Sequence, residues 1–211
     1  MEKFSSKNHW ENIYATKQLN EVSWYQPKPE TSLEFLEKLK LPKTARIIDI
    51  GGGDSFFAES LLDMGYTDIS VLDISEGSLE RAKKRLGEKS KKIKWIVADV
   101  TLFNQHSQYD FWHDRAAFHF LHSPQEISDY INNANAALAN DGVMVVGTFS
   151  ENGPKKCSGI EITQYSKEAL SQQFENHFEK IGCINVNHVT PFNTIQNFTF
   201  CSFNKKQKRS I

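Results

Sequence analysis

The stretch Arg46-Ile47-Ile48-Asp49-Ile50-Gly51-Gly52-Gly53-Asp54-Ser55 decides how this chain folds. Isoleucines at 47, 48 and 50 flank a lone carboxylate, and three glycines follow at once. Next comes Phe56-Phe57-Ala58-Glu59-Ser60-Leu61-Leu62-Asp63-Met64-Gly65, apolar at helical spacing and closed by a glycine. Buried strand, tight turn and helix in that order open a nucleotide-type βαβ unit.

Downstream, the same grammar repeats. Ile69-Ser70-Val71-Leu72-Asp73 is a second buried strand ending in a carboxylate, and Glu76 to Leu86 a helix closed by Gly87. Ile93 to Asp99 and Tyr109 to Asp114 are two more strands, both ending in Asp. Ser123-Pro124-Gln125-Glu126 carries an N-cap, a proline at the first helical position and a capping-box glutamate. That helix is expected to stop at Asn140-Asp141-Gly142, before the strand Val143 to Phe149. After a polar loop, Ser166 to Phe178 reads as helix, and Gly182 to Val189 and Thr194 to Phe203 as two strands. Their four-residue joint is too short for a crossover, so the pair should be antiparallel. The expected fold is α/β: a doubly wound, mostly parallel seven-stranded sheet, helices on both faces and an antiparallel C-terminal strand.

Upstream of the sheet, residues 1–30 form an arm bearing two Trp and two Tyr. Trp10, Ile13 and Tyr14 share one side of a short helix, and Trp24 and Tyr25 sit in a loop stopped by Pro27 and Pro29. Such an arm either packs on the domain's flank or closes over a ligand. A helix capped by Thr31 or Ser32 then precedes the first strand. Residues 31–205 form the domain proper and 206–211 a basic tail.

With 25 basic and 26 acidic residues, the charge gives no reason to expect nucleic acid or a membrane surface as partner. No segment approaches the roughly 18 apolar residues of a membrane span, and the first residues lack a signal peptide's apolar run. Cys157, Cys183 and Cys201 are widely spaced and read as idle thiols in a reducing compartment, so a cytoplasmic location is expected. The basic run from Arg81 to Lys94 reads as the solvated face of a helix and the loop after it, or alternatively as a docking patch for RNA or an acidic protein.

Ligands of such sheets sit beyond the carboxyl ends of the strands. Here Asp49, Asp73, Asp99 and Asp114 mark four of those ends, and a rim of buried carboxylates costs free energy unless something compensates it. Asp73 lies 24 residues after Asp49, the spacing at which a carboxylate reaches a ribose diol. A pyrophosphate-binding turn would place a third glycine where Phe56 stands, and no lysine-bearing phosphate loop is present. A ribonucleoside without pyrophosphate is left.

Asp49-x-Gly51-Gly52-Gly53, Asp73, and Asp99-Val100 together resemble the class I S-adenosylmethionine-dependent methyltransferases, over roughly residues 30–205. The N-terminal His9-Trp10 and Tyr14 and the run Asp114-Arg115-Ala116-Ala117-Phe118-His119 also resemble small protein-lysine methyltransferases, with Arg115 replacing a lysine and His119 a carboxylate. The resemblance implies S-adenosylmethionine as cofactor. Gly51 and Gly53 would admit its methionine part, and Asp49 would orient the turn or reach the ammonium group through water. Asp73, followed by Ile74, would accept both ribose hydroxyls. Asp99 and the Val100 amide would read the adenine, the Asp114 backbone would hold the ammonium group, and Trp24 and Tyr25 would close over it. The acceptor would be a small molecule or a protein side chain. Of His113, His119 and His122 at the mouth of strand four, His119 is the expected base, because it stands where the subgroup has its carboxylate. The rival readings are an NAD(P)-dependent oxidoreductase and a non-catalytic adenosylmethionine-binding protein.

Overall fold

A computed structural model describes residues 4–104 and 108–207. β1 (Arg46–Ile50) is buried from Ile47 onward and runs straight into the glycine turn, where Gly51 and Gly53 take φ of +61° and +47°. α3 (Phe57–Asp63) follows and buries Phe57, Ala58 and Leu61. β2 (Asp68–Asp73), α4 (Glu76–Leu86), β3 (Ile93–Val97) and β4 (Tyr109–Arg115) continue the pattern. α5 (Pro124–Ala137) carries the capping box read from Ser123 and Glu126, with both reciprocal hydrogen bonds made.

The main sheet has seven strands in the order β3-β2-β1-β4-β5-β9-β8, with β5 (Leu138–Phe149), β8 (Phe178–Val189) and β9 (Ile195–Lys205) on its second half. The first five strands pair in parallel, and β9 runs antiparallel to both β5 and β8. Chain order reverses between β1 and β4, so the crevice beyond these strands is the switch point where ligands of such sheets sit. Side chains alternate across the pleat. Ile47, Phe111 and Val145 join a core with α2 (Glu30–Leu39) and α3, whereas Ile48, Trp112 and Met144 join one with α5 and α6 (Lys167–Phe174). Burying each such side chain stabilises the fold by about 1.5–3 kcal/mol.

Several boundaries differ from the sequence reading. Helix α2 begins at Glu30 with Pro29 at its cap, because Ser32 is turned inward to a histidine. Asn140-Asp141-Gly142 does not lie outside β5: the ladder reaches back to Leu138 opposite Tyr109, and residues 139–142 face the single residue Asp110 as a bulge. Helix α6 is shorter than expected, and β8 starts four residues earlier, at Phe178. The loop after β5 contains a small hairpin, β6 (Lys156–Cys157) and β7 (Ile160–Glu161), turned through Ser158 and Gly159 at φ of +49° and +82°. Cys183 and Cys201 are not idle thiols. They stand directly opposite on β8 and β9 with Cα atoms 4.1 Å apart and form a disulfide, leaving Cys157 free. Of the basic tail, residues 208–211 lie outside the described residues. Among the described residues no helix is long and apolar enough to cross a membrane.

Candidate active site

A cavity of about 300 Å³ opens beyond the ends of β1 to β5, under the N-terminal arm. That is within the size range of small-molecule sites. On the β1–β3 side its walls include Asp49, Gly51, Asp73, Ile74, Asp99 and Val100. On the β4–β9 side they include Arg115, Phe120, His122, Phe149, Cys157 and Phe198. The roof carries Trp10, Tyr14, Trp24 and Tyr25.

The glycines at this turn are sterically required. A Cβ on Gly51 would sit 2.8 Å from the Ala117 side chain, and one on Gly53 would sit 2.7 Å from the Tyr14 hydroxyl and 3.1 Å from Asp73 Oδ2. Both have positive φ, where a side chain is strained in any case. Phe56, at the position of a third glycine, caps α3 and packs against Tyr25, with the Arg85 guanidinium 4.1 Å from its ring centre. An aromatic ring thus occupies the ground from which a dinucleotide site holds a pyrophosphate.

Of the four strand-end carboxylates, the protein itself compensates two. Asp114 is fully buried and does not line the cavity. Its Oδ1 accepts from the Ala117 amide at 2.8 Å, and its Oδ2 accepts from the Phe118 amide at 3.0 Å and the Tyr130 hydroxyl at 2.7 Å. Asp49 Oδ1 accepts from His113 Nδ1 at 2.7 Å, and Ser32 Oγ holds the other ring nitrogen at 2.8 Å. His113 is therefore a buried bridge between β1, β4 and α2. The other two carboxylates face the cavity. Asp73 Oδ1 accepts from the Ser75 amide at 2.8 Å, and Asp99 Oδ1 accepts from the Thr101 amide and hydroxyl. Burial pushes the Asp73 carboxyl up to about 7, despite the Ser75 amide, with the Asp54 and Asp49 charges adding to the shift. The neighbouring Tyr14 phenol is raised by burial first and by Asp73 next.

The arm is bound to the domain by two reciprocal clamps. From α1 (Ser6–Thr16), Glu11 accepts from the Glu76 amide at 2.8 Å, the Gly77 amide at 3.1 Å and the Ser75 hydroxyl at 3.1 Å, at the positive end of α4. In return, Arg81 on α4 donates to the Tyr14 and Lys17 carbonyls at 2.8 and 2.7 Å and pairs with Asp54 at 3.0 Å. Further along, His188 Nε2 donates to the Ser23 carbonyl at 2.7 Å. The solvated-face reading of the basic run is corrected at two positions. Arg81 clamps the arm, and Arg85 donates to the Asp54 and Ser55 carbonyls beneath the glycine turn. Lys83, Lys89 and Lys91 make pairs with Glu80, Asp63 and Glu88.

His119 is misplaced for a base. It is fully buried, does not line the cavity, and its Nδ1 accepts from the Phe149 amide at 3.2 Å. Burial, with the His122 and Arg115 charges, pushes it down to about 3, so the ring is a neutral structural group. The fully buried turn Phe118–His119 explains this, since the β5 end closes over it. His122 does line the cavity, but Thr163 Oγ1 at 3.2 Å and the Glu161 carbonyl at 3.0 Å hold its ring. Cys157 is pushed up to about 12 by burial and stays a thiol. Gly53, although outside the lining, keeps the turn flat beneath Tyr14.

Sequence reading missed Glu11, Tyr14 as a partner of Asp73, and Arg81. Glu11 and Arg81 contact groups more than 60 residues away, and no local spacing encodes that.

A family model described as a methyltransferase domain matches residues 47–142. The eEF1A lysine and N-terminal methyltransferase of Mus musculus is 33% identical over 98 residues, 46% of this chain and 14% of that protein. The chain thus spans only about a seventh of that relative's length. The YbcY protein of Escherichia coli K12 is 30% identical over 181 residues, covering 77% of this chain and 89% of that one. In architecture, the N-methyltransferase NodS of Bradyrhizobium japonicum WM9, solved with S-adenosyl-L-homocysteine, superposes with a TM-score of 0.74 at 15% identity, covering 96% of this chain and all of that one. Fold, glycine turn and relatives together define an α/β protein built to hold a nucleoside. Residues 47–142 thus match a methyltransferase domain, and the chain as a whole shares the fold of the methyltransferase NodS.

Proposed function

We propose that this protein transfers a methyl group from S-adenosylmethionine to a small molecule or a protein side chain. The observation that carries the reading is Asp73, a cavity-facing carboxylate at the end of β2, beside a glycine turn in which Phe56 replaces the pyrophosphate-binding glycine. The residues fit the cofactor. Gly51 lines the cavity and Gly53 keeps the turn clear of Tyr14 and Asp73, Asp73 and Asp99 present acceptors to ribose hydroxyls and an adenine amino group, and Ile74 and Val100 supply apolar wall. When bound, the cofactor supplies a methyl carbon already activated by a sulfonium.

The protein's task is then alignment and exclusion of water. Asp49, fixed by His113, stiffens the strand-to-turn junction. Trp24 and Tyr25 with Tyr14 roof the cavity, and their electron-rich faces suit a cation beneath them. The described part of the arm, residues 4–30, is the lid of the site, and Glu11 and Arg81 are its clamps. Glu11→Ala is expected to weaken S-adenosylhomocysteine about tenfold and to expose the arm to limited proteolysis, through loss of three hydrogen bonds. Unchanged affinity and an equally resistant arm would show that the roof holds without the clamp. With His119 buried, the reading invokes no dedicated base, which suits an acceptor that reaches the site already deprotonated.

S-adenosylhomocysteine at a hundred times its Kd should raise the unfolding stability by about 2.7 kcal/mol, read as a higher Tm. A rise with NAD and none with S-adenosylhomocysteine would replace this reading with the oxidoreductase one.

A further inference from the structure

Among the described residues, Arg115 is the one Lys or Arg side chain lining the cavity, and its charge is unanswered. It extends from the end of β4 on the same face as Phe111 and His113. Its Nη1 donates to the Trp24 carbonyl at 3.2 Å, and its guanidinium carbon lies 5.0 Å from the Phe198 ring centre. Nη2 is out of contact with water and has no hydrogen-bond partner. No carboxylate among the described residues forms an ion pair with it. The nearby Cys157 is a buried thiol, and Asp49 is engaged by His113. A guanidinium donor left unpaired away from water costs free energy, and stacking on an aromatic face offsets only part of it.

Its position separates it from the nucleoside part of the site. Asp73 ends β2 and Asp99 follows β3 on one side of the switch point, whereas Arg115 starts the other half, facing Phe149 on β5, Cys157 on β6 and Phe198 on β9. That half of the cavity is walled by Trp10, Trp24, Phe120, Phe149 and Phe198, with edge-to-face contacts between Trp10 and both Trp24 and Phe120. Flat apolar walls around one planar cation match a flat apolar body bearing one planar anion. A single guanidinium fork fits a monoanionic carboxylate, whereas a dianionic phosphate calls for more positive charge than this half supplies.

We propose that Arg115 anchors the methyl acceptor by a carboxylate, and that the acceptor is a small aromatic or similarly flat apolar carboxylic acid. This rests on the methyltransferase reading for the word acceptor, but the binding claim stands by itself. A lysine ε-ammonium would be repelled by the same guanidinium.

The test is calorimetric titration of the full chain, with and without saturating S-adenosylhomocysteine. The probes are benzoate, phenylacetate, 3-phenylpropionate and indole-3-acetate, each against its primary amide. At least one acid should bind about tenfold more tightly than its amide. Arg115→Gln should abolish that preference and Arg115→Lys should keep part of it, while both still bind S-adenosylhomocysteine. The proposal is overturned if no acid is preferred to its amide, or if the preference survives Arg115→Gln. It is equally overturned if Arg115→Gln weakens S-adenosylhomocysteine and leaves the acids unaffected, because the guanidinium would then serve the cofactor's own carboxylate. Should Arg115→Gln fail to fold, the acid-to-amide ratio of the parent and of Arg115→Lys decides. Failure of the cofactor reading shows separately, as no S-adenosylhomocysteine binding by the parent.

Discussion

Asp73→Ala is expected to weaken S-adenosylhomocysteine about a hundredfold while leaving the fold intact. Two charge-assisted hydrogen bonds to a ribose diol are lost, at about 1.5 kcal/mol or more each. The fold should survive because the ligand-free protein holds this carboxylate at a cost: it is buried, and its folded value of about 7 stands well above the ordinary carboxylate range. The sign of the linkage follows. A raised folded value means the folded protein binds the extra proton, so the contribution of Asp73 to stability is full below about pH 4 and is lost as pH rises through 7. Ligand binding runs the other way, since ribose hydroxyls donate to the ionised form. Affinity should therefore rise about tenfold from pH 6 to pH 8 in the parent protein and stay flat in Asp73→Asn. Calorimetric titrations at the two pH values check both claims. A pH-independent parent affinity, or full affinity in Asp73→Ala, would move the ribose elsewhere.

The second large effect is on stability. Asp114→Ala should cost about 3–5 kcal/mol, because three buried donors lose their acceptor together: the Ala117 and Phe118 amides and the Tyr130 hydroxyl. Tyr130 in turn accepts from Trp112 Nε1 at 3.0 Å, so the loss reaches the centre of the α5-side core. For a chain of 211 residues this lowers Tm by roughly 10 °C. Asp114→Asn, which keeps one acceptor oxygen, should lose less. Burial raises Asp114 to about 6 against its hydrogen bonds, so the part of its stabilisation linked to the bound proton is full below about pH 4 and lost as pH rises through 6, whereas the three accepted hydrogen bonds persist on both sides. Thermal melts of both variants at pH 5 and pH 7 would expose the role: an alanine variant as stable as the asparagine one would mean the amides find other partners.

These two aspartates also show where sequence reasoning stops. Both close a strand of the same pattern, and in the sequence both look like ligand groups. The structure turns Asp73 into the cavity and Asp114 down onto α5, because successive side chains leave opposite faces of a strand and β4 ends one residue later, at Arg115. That extra residue brings the guanidinium to the mouth. His119 fails for a related reason: sequence position places it after β4, but the turn Phe118–Phe120 rolls its ring under the end of β5.

By itself, the sequence determined the strand-turn-helix unit at Asp49–Gly53, the seven-strand α/β layout with its antiparallel end, and a turn that lacks the third glycine of a pyrophosphate site. Those properties are local: apolar period, glycine placement and carboxylates at strand ends. Tertiary structure alone decided which carboxylates the protein keeps for itself, that Glu11 and Arg81 clamp the arm, that Cys183 meets Cys201, and that Arg115 stands alone among aromatic rings. Each of these depends on groups brought together from distant parts of the chain, and contact at that range is set by packing of the whole domain.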